Sequence, residues 1–268
     1  MSTTRPDPGV IALAIFFALA PAFAVGGALG FALALSLAGV ACVRPSMAGH
    51  LWKKRPLFIG LLAAFVIWVD ISTLWSPFAA QVQALQISII AISGVAFVAV
   101  AASSGARITR AGAVATVAVL IVLLAIEAAT PLIINSAAQP GVAADELNRN
   151  LSRGSSFLIV LTWGAMGALL LMPGWAWRVA ALALVLGAGA LSTQFGQAAN
   201  AVAFAAGLGA FVVGFAAPRL AIWAATGGLA LWLLGAPGLT PLLLSNPAVV
   251  DALPLSWAMR GGIWQFTI

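Results

Sequence analysis

Charge is what this chain has least of. Twelve Lys and Arg and six Asp and Glu are all that 268 residues carry, at a mean hydropathy of +1.12. That composition excludes an ordinary soluble domain. Cysteine is nearly absent too. Cys42 stands alone, so no intramolecular disulfide can form, and with one histidine, His50, no metal-ligand set exists. No cofactor is expected. Nucleic acid is excluded as a partner despite a pI near 11.4, because the basic residues are dispersed over short loops and form no stripe. They read as topology determinants and contacts to anionic membrane lipids.

What is present in abundance is apolar sequence. Long apolar stretches lie near 10–22, 24–43, 57–75, 83–103, 111–130, 155–172, 175–191, 199–217 and 219–236. Most suit a hydrocarbon layer roughly 30 Å thick, which takes about 20 helical residues to cross. The expectation is an all-α fold, a polytopic membrane helix bundle of about nine transmembrane helices over 1–236. Residues 237–268 follow as the start of an external loop. Pro237, Pro241, Pro247 and Pro254 argue against a regular span there, and 251–268 read as a short amphipathic surface helix.

The charges sort by side. One set of loops holds Arg5, Arg44, Lys53, Lys54, Arg55, Arg107, Arg110, Arg178 and Arg219, and the other only Arg149, Arg153 and Arg260. The positive-inside rule makes the first set, and the N-terminus, cytoplasmic. Trp52, Trp75, Trp175 and Trp177 fall at span ends, where amphipathic rings settle. Ala22-Phe23-Ala24 resembles a signal-peptidase site, and the other reading is two tightly joined helices broken at Pro21.

Candidate chemistry collects on the arginine-poor side. Asp70 and Glu127 lie near the outer ends of the third and fifth stretches. Either interfacial water satisfies them locally, or they pair with Arg149 or Arg153 across an outward cavity. Asn150 or Ser152 can cap a helix beginning the sixth stretch. Arg153 in its first turn then makes an anion site, or touches lipid phosphate. Arg260 stands between Trp257 and Trp264 at helical offsets, stacked as an anchor or presented to a diphosphate. The turn from Ser192 to Asn200, with Gln194 and Gln197, is ordinary turn chemistry or a surface for sugar hydroxyls.

Four strings in order resemble the O-antigen ligase family, which is related to the Wzy-type polysaccharide polymerases. They are Trp75-Ser76-Pro77, Arg153-Gly154 before Leu161-Thr162-Trp163, the polar Ser192–Asn200 turn, and Arg260-Gly261-Gly262-Ile263-Trp264. The resemblance implies a metal-independent glycosyltransferase of the bacterial inner membrane, working at its periplasmic face. Its donor would be a glycan on undecaprenyl diphosphate, and its acceptor lipid A–core or another glycan. It implies Arg153 and Arg260 as catalytic, holding the donor diphosphate. Arg149, Asn150, Gln194, Gln197, Asp70, Glu127 and Trp264 would bind substrate. Two departures stand out. Gln194 and Gln197 occupy a stretch where the family often has an arginine. The histidine of the family's large periplasmic loop has no counterpart here, since His50 is on the other side. The chain therefore resembles the N-terminal two-thirds of such an enzyme, and no turnover is expected of these 268 residues alone. A multi-pass transporter or flippase for a lipid-linked or anionic solute, and a non-catalytic scaffold, are the competing readings.

Overall fold

The structure, a computed structural model, describes residues 7–26, 29–44, 53–75, 81–103, 105–196, 198–246 and 248. Among them the regular structure is all helix. The helices are α1 (Pro8–Val25), α2 (Leu29–Cys42), α3 (Pro56–Ser72), α4 (Gln81–Ser103), α5 (Ala106–Ala129), α6 (Ile133–Ala138), α7 (Ala144–Leu170), α8 (Trp175–Leu191), α9 (Ala198–Ala216) and α10 (Pro218–Leu244). Five of them, α1, α4, α5, α7 and α9, are long and apolar enough to cross a membrane. Leu33–Cys42, α3 and α8 are apolar but shorter. The chain has the helices of a multi-pass membrane protein.

Two compact units divide it, Met1–Gly207 and Leu208–Ile268. In the first unit α1 is the central post, packed on α2, α4, α5 and α7. Its start is set locally. The Asp7 carboxylate accepts the Gly9 N–H at 2.8 Å, and Pro8 occupies the first turn, where its missing N–H costs nothing. The helix does not break at Pro21, as the sequence suggested. It runs on to Val25 and ends at Gly26, carrying Ala22–Ala24 within it. Pro21 cannot donate to the carbonyl four residues back, which is that of Phe17. Thr116 of α5 donates its hydroxyl to that carbonyl at 2.9 Å. A neighbouring helix thus supplies the hydrogen bond that proline removes.

Small residues let the helices close on one another. Gly39 of α2 lies against the backbone of Ser93 in α4, and a Cβ at Gly154 of α7 would stand 2.6 Å from the Ala24 carbonyl oxygen. Two apolar clusters result. One joins Leu13, Phe16, Phe17, Cys42, Phe97 and Val100 across α1, α2 and α4. The other joins Ala24, Leu120, Leu124, Leu151, Leu158 and Leu191 across α1, α5, α7 and α8. By contrast α3 packs on α4 and buries none of its residues.

Polar contacts mark the two ends of this unit. Asp7 and Arg44 form an ion pair that ties the start of α1 to the end of α2. A Cβ on Gly9 would meet Val100, so the end of α4 and the start of α5, with Arg107 and Arg110, lie at that same end. The Gly154–Ala24 contact puts the start of α7, with Arg149 and Arg153, at the opposite end.

In the second unit α10 corrects a further expectation. It continues through Pro237 and Pro241 to Leu244. Each proline removes one ladder bond, and two separated losses leave the rest of a 27-residue helix intact. The expected surface helix at 251–268 lies outside the described residues.

Candidate functional site at the Arg153 end

α7 begins eleven residues earlier than the apolar stretch at 155 implied, at Ala144 after an uncapping Ala143. Neither Asn150 nor Ser152 is therefore a cap. Both sit inside the helix and are buried, at 7% and 0% exposure. The reason is visible in the spacing. Leu147, Asn150, Leu151, Gly154, Ser155 and Leu158 form one buried stripe at helical intervals, so the polar opening of α7 is amphipathic rather than irregular. Asp145 and Glu146 fill the first turn, where negative charge suits the helix dipole. Arg153 consequently lies well inside the helix, and the anion site expected from a helix N-terminus at that residue is not formed.

What the extension creates is a pair of guanidiniums. Arg149 and Arg153 are one turn apart, both exposed, on the face away from the bundle. Arg153 donates weakly to the Asn150 side-chain oxygen at 3.4 Å. Among the described residues the only ion pair is Arg44–Asp7, and neither arginine is paired with a described carboxylate. Two guanidiniums on one face can hold a polyvalent anion.

The carboxylates are committed elsewhere. Glu127 of α5 is 1% exposed rather than wetted at an interface. Its Oε1 accepts the Asn135 main-chain N–H and the Asn135 side-chain N–H, both at 2.7 Å. Asp70 is exposed on α3 and accepts the Ser88 hydroxyl at 3.3 Å. The pairing of either with Arg149 or Arg153 is thus replaced by hydrogen bonds to neutral neighbours. Gln194 is exposed, and its amide turns back to the Ala190 carbonyl at 3.4 Å. Gln197, Arg260 and Trp264 lie outside the described residues.

Sequence reasoning missed the polar seam between α7 and α9. The Asn200 amide donates to the Ser152 carbonyl at 2.9 Å, and Ser156 donates to the Asn200 side-chain oxygen at 2.7 Å. Beside the seam, Ser155 donates to the carbonyl of Leu191, the last residue of α8, at 3.5 Å. The available signal was the serine spacing at 152, 155 and 156, which places three hydroxyls on neighbouring positions of one helix. Asn200 is spent in this seam and is not free for a ligand.

No family model, no curated protein and no solved structure matches this chain.

Proposed function

We propose that the chain is a glycosyltransferase of the O-antigen ligase type, crossing the bacterial inner membrane nine times with its N-terminus in the cytoplasm. It moves a glycan from undecaprenyl diphosphate to lipid A–core, or to another glycan, at the periplasmic face. In the transfer, the bond from the sugar to the diphosphate breaks and a bond to an acceptor hydroxyl forms. The hydroxyl proton is released, and undecaprenyl diphosphate leaves. Arg149 and Arg153 would hold the diphosphate, joined by Arg260. Fixed cations aimed at charge that grows on a leaving phosphate are the expected main catalytic contribution.

One observation supports this reading above the others: two exposed arginines, with no ion pair to any described carboxylate, stand one turn apart on α7 at the end opposite the other described arginines of that unit. The order of the four sequence strings supports it as well.

The test is glycan transfer from undecaprenyl diphosphate in purified membranes, with protein levels matched. Arg153→Lys keeps the charge and loses the bidentate fork. It should insert normally and transfer at least roughly tenfold more slowly, the scale of one lost charge-assisted hydrogen bond. Arg107→Lys, at the other end, should transfer normally. Full activity in Arg153→Lys and Arg153→Ala would leave this residue as a lipid-phosphate anchor and remove the reading's support.

A further inference from the structure

We infer that residues 131–143 form a strap over the Arg153 end of the bundle, held shut by one buried clamp and hinged on both sides. The inference rests on the fold and not on the glycosyltransferase reading. The strap contains α6, which packs on α5 and α7. Its clamp is Glu127 with Asn135, each 1% exposed. One carboxylate oxygen takes both N–H groups of Asn135, so a single residue of the strap is gripped through main chain and side chain together.

The closed arrangement carries two costs. The second oxygen of Glu127, Oε2, is buried and has no hydrogen-bond partner. An acceptor taken from water without a replacement donor is unfavourable. Leu132, at the near hinge, has φ +68°, and it is the only non-glycine with positive φ among the described residues. A leucine there crowds its Cβ against the next carbonyl. The far hinge is the Gln139-Pro140-Gly141 turn, where Gly141 takes φ +86° without penalty.

Opening relieves both costs. Water reaches Oε2, and Leu132 can leave the left-handed region. What opposes opening is the Asn135 clamp, the Leu132 N–H bond to the Glu127 carbonyl and the packing of Leu132 on the cluster that holds Leu124 and Leu151. Most other side chains of the strap are exposed, Ile133, Ser136, Ala137 and Ala138 among them, and add little. These costs offset part of what holds the strap down, which favours a segment that opens without unfolding the bundle. The strap then governs access of outside water and solutes to the Glu127 carboxylate and to the end of the core beside α7.

The test uses Ile134→Cys, a half-buried strap position, in a Cys42→Ala background in nanodiscs, with an impermeant maleimide. Labelling should be slow but measurable. Glu127→Leu and Asn135→Ala should each speed it by roughly tenfold or more, the scale of a lost buried hydrogen bond. The double variant should be no faster than Glu127→Leu, because that change removes both bonds of the clamp and Asn135→Ala only its side-chain bond. The melting temperature should stay within a few degrees of the parent, which separates strap opening from global unfolding. Hydrogen exchange of amides 133–138, without the introduced cysteine, should rise in the same order. Unchanged labelling in both single variants, an additive double variant, or rates that simply follow melting temperature would overturn the strap.

Discussion

Pro21 and Thr116 show how one residue can decide whether a central helix stays whole. The proline removes a donor to the Phe17 carbonyl, and a threonine 99 residues beyond Phe17 replaces it. Thr116→Val keeps the shape and loses the hydroxyl, leaving the Phe17 carbonyl without a partner. The expected cost is about 1 kcal/mol, since hydrogen bonds between membrane helices measure smaller than burial alone suggests. Pro21→Ala restores an N–H aimed at the same carbonyl. In that background Thr116→Val should cost much less. Unfolding of the four proteins in mixed micelles gives the coupling directly, and equal costs in both backgrounds would show that the carbonyl never needed the threonine. Glu127 teaches a related point. Its position near a helix end was legible in the sequence. Its partner was not, because Asn135 reaches it only through the left-handed turn at Leu132, and no spacing rule announces an unglycinated turn of that kind.

At the scale of elements, α7 is where apolar counting fails and periodicity succeeds. Residues 144–154 carry four charges and read as loop, yet Leu147, Asn150, Leu151 and Gly154 continue the buried stripe of the apolar part. The stripe ends in close packing, and the glycines of this helix differ sharply. A Cβ on Gly154 would meet the Ala24 carbonyl oxygen at 2.6 Å, and backbone cannot move aside as a side chain can. Gly164 and Gly167 have nothing within 4 Å of the same position. Gly154→Ala should therefore destabilise the bundle by about 1–3 kcal/mol. Gly164→Ala and Gly167→Ala should stabilise it slightly, by about 0.5–1 kcal/mol, through helix propensity. Thermal unfolding in detergent, read on the same day for all three, separates the signs. A stable Gly154→Ala would mean that α1 and α7 are free to part. The helix boundary at Leu244 belongs here too. Proline count predicted a break, but proline forfeits single bonds, and a long helix absorbs two such losses.

For the whole molecule, the apolar stretches and their order were legible because membrane helices are written in composition. The arrangement of helices around α1 was not, because it depends on glycines and hydroxyls that composition cannot rank. Charge sorting survives folding within the first unit. Arg44, Arg107 and Arg110 gather at the Asp7 end, and Arg149 and Arg153 at the other. Sorting alone does not choose which end faces the cytoplasm. The positive-inside rule does, by assigning the richer end to the inside. Two exposed positions on opposite ends put this to the test, Ala138 in α6 and Pro173 after α7. In a Cys42→Ala background, a cysteine at 138 should react with an impermeant maleimide in intact cells, and a cysteine at 173 only after the membrane is opened. Reaction at 173 with protection at 138 would invert the protein. Arg149 and Arg153 would then face the cytoplasm, where no glycan acceptor of the proposed kind waits, and the diphosphate reading would fall with the topology. The strap and its clamp would survive that result, since their geometry is the same whichever side of the membrane they face.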